Sequence, residues 1–185
     1  MKNIDALEAE IRQLFGKCVW THKIQEKQAD IYKSWSFWLE LVRIIASAIT
    51  TTGILALLLV DGIGLKIATA IVSLISTGIN LYLKKYDLNS FEKAHKSSAI
   101  EWLCLREDYL SLLTDLTCDR LTEEDLLEKR NSLLTCYKEL CKKSPNTTGK
   151  AYDMASKSLK INMDNIISDE EINAFLPIEL RRRNE

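Results

Sequence analysis

Residues 44–60 read IIASAITTTGILALLLV and residues 67–83 read IATAIVSLISTGINLYL, joined by Asp61-Gly-Ile-Gly-Leu-Lys66. Each run holds 17 residues without a formal charge, the lower limit for a membrane-spanning helix. At about 1.5 Å per residue each covers roughly 26 Å, and flanking residues extend it toward a ~30 Å hydrocarbon core. Two such runs so close together predict a transmembrane helical hairpin, with spans over about 41–60 and 65–83.

The flanks of the hairpin set its orientation. Lys23, Lys27, Lys33 and Arg43 precede the first span, and Lys84, Lys85, Lys93 and Lys96 follow the second. The connection offers only Lys66, offset by Asp61. By the positive-inside rule both termini of a multi-pass chain are expected in the cytoplasm, with the connection on the outer face. Trp35, Phe37 and Trp38 before span one, and Tyr82 and Tyr86 after span two, sit where interfacial aromatic belts belong. The apolar segment starts too far from Met1 for a cleavable signal peptide, so the hairpin is expected to be retained.

The chain has 185 residues and a net charge of −1. That balance gives no case for nucleic acid, and no direct nucleic-acid contact is expected. With two prolines and six glycines, long stretches are free to be helical, and nothing alternates apolar and polar residues as a sheet would. The expected fold is all-α: a two-helix transmembrane hairpin extended into a cytoplasmic helical bundle. Residues 1–36 form an N-terminal amphipathic helix, 37–86 the hairpin and 87–185 a C-terminal helical region.

Ile4, Leu7, Ile11, Leu14, Cys18 and Gln25 mark one helical stripe, and no proline separates it from span one. Leu88, Phe91, His95, Ser98, Trp102, Leu105, Tyr109, Leu112 and Leu116 mark another, expected to continue the second spanning helix into the cytoplasm. Thr122-Glu-Glu-Asp125 predicts a capping box ahead of Leu126, Leu127, Leu133, Leu134, Tyr137 and Leu140. Ser144-Pro-Asn-Thr-Thr-Gly149 reads as a loop, and a helix over about 150–161 follows. Ser168-Asp-Glu-Glu171 caps a last helix that stops near Pro177. The tail Arg181-Arg-Arg183 is basic.

The spans carry polar faces. Lys66, Thr69, Ser73, Ser76, Thr77, Asn80 and Lys84 fall within an arc of about 100° on span two. Arg43, Ser47, Thr50 and Thr51 occupy an arc of similar width on span one. Two explanations account for them. Small hydroxylated residues let spanning helices approach and hydrogen-bond, and a hairpin has one such contact by necessity. Alternatively the span-two arc lines a water-filled path, which two helices cannot enclose, so that this explanation requires a homo-oligomer. Asn80 discriminates, because an amide carries more hydrogen-bonding demand than a hydroxyl.

Catalysis and cofactor binding find little support. His22 and His95 lie in separate helical segments, and His95 sits among Phe91 and Trp102, the setting of a packed core histidine. An enzyme using His95 with Glu92 or Glu101 is the weaker alternative. The five cysteines (Cys18, Cys104, Cys118, Cys136, Cys141) form no CxxC pair and are expected to be reduced, partly buried thiols rather than metal ligands. Thr147-Thr-Gly-Lys150 lacks the first glycine of a phosphate-binding loop and follows no strand. Glu123-Glu-Asp125 answers the helix dipole rather than a metal. No catalytic residue, metal or cofactor is expected, and the Lys and Arg near the spans suit anionic lipid headgroups of the bilayer.

Val19-Trp-Thr-His-Lys-Ile-Gln-Glu-Lys27 stands ahead of the hairpin. Pro145, Ala151-Tyr-Asp-Met-Ala155 and Glu171-Ile-Asn-Ala-Phe-Leu-Pro177 follow the long helical region. In layout and in these motifs the chain resembles the SLATT family over nearly its whole length. These are two-transmembrane effectors associated with nucleotide-second-messenger and SLOG-type sensor systems in prokaryotes, some branches with reverse transcriptases. The resemblance implies an antiphage or conflict effector that oligomerises and perforates or depolarises the inner membrane once a partner sensor reports infection. It places Trp20, His22 and Lys23 in a pre-membrane motif, and it favours pore lining over packing for the span-two arc. The competing reading is a membrane anchor or scaffold that recruits a cytoplasmic partner enzyme.

Overall fold

Residues Lys2–Leu57 form one uninterrupted helix, α1, about 84 Å long at 1.5 Å per residue. The computed structural model describes residues 2–57, 62–164 and 167–177. Among the described residues five helices follow α1: α2 (Ile63–Lys85), α3 (Leu88–Thr117), α4 (Glu123–Lys143), α5 (Gly149–Lys160) and α6 (Asp169–Phe175). Among the described residues there is no strand. Residues 58–61 of the connection and the tail Arg181–Arg183 lie outside the described residues.

Helix α1 is the spine. Its C-terminal half packs against α2 and its N-terminal half against α3, while α5 also docks on α1 and α4 on α3. Contacts Gly53–Thr69, Ser36–Asn89, Tyr32–Phe91 and Gln25–His95 descend along α1 as they ascend along its partners, so α2 and α3 both run antiparallel to it. The expected division at residue 36 thus falls inside a continuous helix.

One expectation is corrected at residue 86. Span two and α3 are separate helices, not one: α2 stops at Lys85, and Tyr86 is extended at φ −116°, ψ 107°. Asp87 then caps α3, its Oδ1 accepting from Ser90 N at 2.9 Å. A short carboxylate able to bond a free amide restarts the helix more readily than it continues one.

The core of the bundle forms where the predicted stripes meet. Leu7, Ile11, Leu14 and Cys18 of α1 pack with Trp102, Leu105, Tyr109 and Leu112 of α3 and with Leu126 and Leu140 of α4. Burying each large apolar side chain contributes about 1.5–3 kcal/mol. Phe91 and Leu127, expected on apolar faces, are exposed instead. Both predicted capping boxes are present, at Thr122–Asp125 and Ser168–Glu171. Of the five cysteines only Cys18 is buried; the other four are exposed, a correction to the partly buried set expected. They sit outside the residues that close the bundle.

In the hairpin the pattern inverts. Each of the two apolar helices contains an 18-residue window of mean hydropathy 1.5 that is only 6% buried. A core helix of a soluble domain would be covered. Here Ile44, Ile49, Ile54, Ile71, Leu74 and Leu81 are all exposed, and large exposed apolar patches mark membrane or partner contact. At about 34 Å, α2 is long enough to cross a hydrocarbon core.

Candidate functional site: the two faces of the hairpin

The seam between α1 and α2 is built from small residues. Ala46 and Thr69 are buried there. A Cβ on Gly53 would stand 2.5 Å from Thr69 Oγ1 and 3.1 Å from its Cγ2, so glycine is what lets the two backbones approach.

The polar arc of α2 is centred off this seam. Thr69 is buried in it and Ser73 and Ser76 are half-buried, whereas Lys66, Thr77, Asn80 and Lys84 are exposed. On α1, Arg43 and Thr50 are half-buried and Ser47 and Thr51 exposed. The structure brings five of these residues together: Arg43, Ser47 and Thr51 face Ser76 and Asn80 across one cleft of about 530 Å³. Thr50, Lys66, Ser73, Thr77 and Lys84 lie outside it. A second cleft, of about 420 Å³, lies nearer the connection and is apolar, lined by Ile49, Gly53, Ala56, Leu65, Ala68 and Val72 among others. Polarity is therefore concentrated in the half of the hairpin nearest the bundle.

The hydroxyls do not all demand a partner. Thr50 donates to Ala46 O at 2.9 Å, Thr51 to Ser47 O at 3.0 Å, Thr52 to Ala48 O at 3.0 Å and Thr77 to Ser73 O at 2.9 Å. A hydroxyl satisfied by its own helix can face hydrocarbon at little cost. Asn80 is different: its exposed amide has no hydrogen bond among the described residues, and neither does the Arg43 guanidinium. An amide has up to four bonds to satisfy.

The pre-membrane motif has a structural task that spacing alone left open. Trp20 stacks on Tyr152 of α5 with ring centroids 5.5 Å apart, and Lys160 Nζ lies 5.3 Å from the Trp20 ring centre. Lys23 is 7% exposed and reaches Glu26 at 2.9 Å and Asp164 at 3.6 Å. Burial pushes the Glu26 carboxyl up, but the hydrogen bond and charge of Lys23 outweigh it and hold the group below its usual range. The Ser158 hydroxyl and then Lys23 likewise hold Asp164 low. His22 is half-buried with Nδ1 unbonded; burial lowers its pKa despite the opposing pull of Glu26. Trp20 and Lys23 thus grip α5 and the corner beyond it.

Gln28, which was not singled out from the sequence, completes this clasp together with Gln25 of the first stripe. Gln28 Oε1 accepts from Thr148 N at 2.9 Å and Thr148 Oγ1 at 2.8 Å, and Thr148 Oγ1 in turn caps α5. Gln25 Nε2 donates to Pro145 O at 2.9 Å while its Oε1 accepts from His95 Nδ1 at 2.6 Å. With the Gln25 amide so oriented, Nδ1 carries the His95 proton. His95 is 3% exposed and stacks on Tyr32; burial lowers its pKa. Glu101 is engaged by Lys143 and the His95 side chain bonds Gln25; among the described residues no hydrogen bond joins His95 to Glu92 or Glu101, the partners that the weaker enzymatic alternative named. Among the described residues no cluster of His, Cys, Asp and Glu has the arrangement to hold a metal ion.

Fold and site together define an all-α, membrane-associated protein: an apolar two-helix hairpin continuous with a helical bundle. Over residues 7–171 the chain matches the family model described as SMODS and SLOG-associating 2TM effector domain family 4. It belongs to that family of two-transmembrane effectors. No curated protein and no solved structure gave a significant match.

Proposed function

We propose that this protein is a membrane effector of a prokaryotic antiphage or conflict system. It assembles as a homo-oligomer in the inner membrane, both termini cytoplasmic, and opens a water-filled path when a partner sensor triggers it. A sensor protein or reverse transcriptase is the expected class of trigger. The observation that carries the reading is the convergence of Arg43, Ser47 and Thr51 with Ser76 and Asn80 on one cleft within the spans. Hydrocarbon offers Asn80 no partner, whereas water or a second copy does. Ser73 and Thr77 lie along the same arc of α2, where each subunit would present them to a lumen, with Lys66 and Lys84 at headgroup level at its two ends.

Purified protein in planar bilayers tests this. Asn80→Leu and Ser73→Leu are expected to lower unitary conductance or leak severalfold. Unchanged conductance in both would return the polar arc to packing. The anchor reading makes the opposite forecast, since the protein alone would then leave membranes intact.

A further inference from the structure

The break at Tyr86–Asp87 opens a cleft of about 360 Å³ between the end of α2, the start of α3 and one face of α1. Ser36 forms its floor, 9% exposed and donating to Asn89 Oδ1 at 2.9 Å. Around it stand Glu40 and Arg43 of α1, Lys84 of α2 and Asp87 at the break. Two cations and two carboxylates therefore share one cleft, yet among the described residues none of the four is ion-paired to another. The exposed rings of Trp35, Phe37, Trp38, Tyr82 and Tyr86 flank the same level of the helices, which is how side chains mark a membrane–water interface.

From this we propose that the cleft binds the headgroup of a zwitterionic phospholipid carrying a primary ammonium. The phosphodiester sits against Arg43 and Lys84, and the ammonium donates to Glu40 and Asp87. A ligand with both charges covalently linked satisfies all four side chains at once, which neither a headgroup lacking an ammonium nor a simple cation does. The N–H donors matter: a quaternary ammonium has the same charge but cannot donate to a carboxylate. The site rests on the membrane placement above and not on conduction.

The test uses the full chain in detergent, given equal amounts of phosphatidylethanolamine and phosphatidylcholine with the same acyl chains. Retained lipid is counted by native mass spectrometry. About a tenfold preference for the ethanolamine lipid is expected, the discrimination of one charge-assisted hydrogen bond. Glu40→Gln with Asp87→Asn is expected to abolish the preference while lipid is still retained, because asparagine preserves the α3 cap. Equal retention of the two lipids by the unmodified protein overturns the proposal, as does a preference that survives in the double variant. Soluble glycerophosphoethanolamine forms the last arm. Displacement of lipid by it at equal concentration would assign the cleft to a soluble ligand and overturn the lipid source. Lipid counts are read without ion flux, so failure here is distinguishable from failure of the pore reading.

Discussion

Gly53 of α1 lies so close to the Thr69 side chain of α2 that a β-carbon on the glycine would stand 2.5 Å from Thr69 Oγ1. Alanine is worth up to about 1 kcal/mol more than glycine in a helix, so an uncrowded site would gain from the exchange. Gly53→Ala is instead expected to destabilise the hairpin by about 1–3 kcal/mol through overpacking. Adding Thr69→Ala removes the clashing atoms and restores most of the loss. Unfolding in detergent of the four members of the cycle measures the coupling.

Back-bonded hydroxyls make a contrasting forecast. Thr77 is exposed and its hydroxyl is held by Ser73 O at 2.9 Å. Thr77→Val removes an internally satisfied group of nearly equal volume, and is expected to shift stability by less than about 0.5 kcal/mol. Conductance is expected to change far less than with Asn80→Leu. Measuring both variants in the same bilayer preparation separates polarity on the arc from unmet hydrogen-bonding demand.

Gln28 is 1% exposed and serves two donors of Thr148. Gln28→Ala leaves the Thr148 amide without its acceptor, which costs about 1–3 kcal/mol. The loss is expected to fall on the docking of α5, appearing as faster proteolysis between residues 145 and 164 and a change in Trp20 fluorescence. Helix content measured by circular dichroism is expected to change little.

Burial lowers the pKa of His95 from 6.5. The unfolded chain therefore binds more protons than the folded one as pH falls below about 6.5. The stabilisation is complete above that value and is lost as pH drops toward the folded pKa. Gln25 and Tyr32 face the ring without a charge to offset it. Thermal unfolding at pH 7.5 and 5.5 is expected to show a smaller difference in His95→Gln than in the unmodified protein.

Thiol labelling reports on the core. Burial, reinforced by Cys141, pushes the Cys18 thiol up to about 12, while the other four cysteines are exposed. Four thiols are expected to react with maleimide in folded protein and the fifth only on denaturation.

The sequence made some of these features plain and concealed others. The hairpin was legible because hydrocarbon demands a long uncharged run, and that demand is local. The caps at Thr122 and Ser168 were legible for the same reason, since donor and acceptor lie three residues apart. Periodicity runs unbroken across Tyr86 and Asp87, so the helix break there was not. Gln28 and Thr148 are 120 positions apart, and no local pattern links them. A helical wheel gives the angles between Thr69, Ser76 and Asn80 but not which angle meets the neighbouring helix. That offset divides the polar arc into a packed edge and an open one.

Trp20, where α5 takes hold, and Arg43, at the polar cleft, stand 23 residues apart on α1 (43 − 20), with no helix break between them. That is about 35 Å of uninterrupted rod. Any roll or tilt imposed at the Tyr152 contact arrives at the cleft with no hinge in between to absorb it. The helix is in that sense a lever with its handle in the bundle and its working end in the bilayer. A change of angle at the bundle would then be felt at the hairpin through the helix itself.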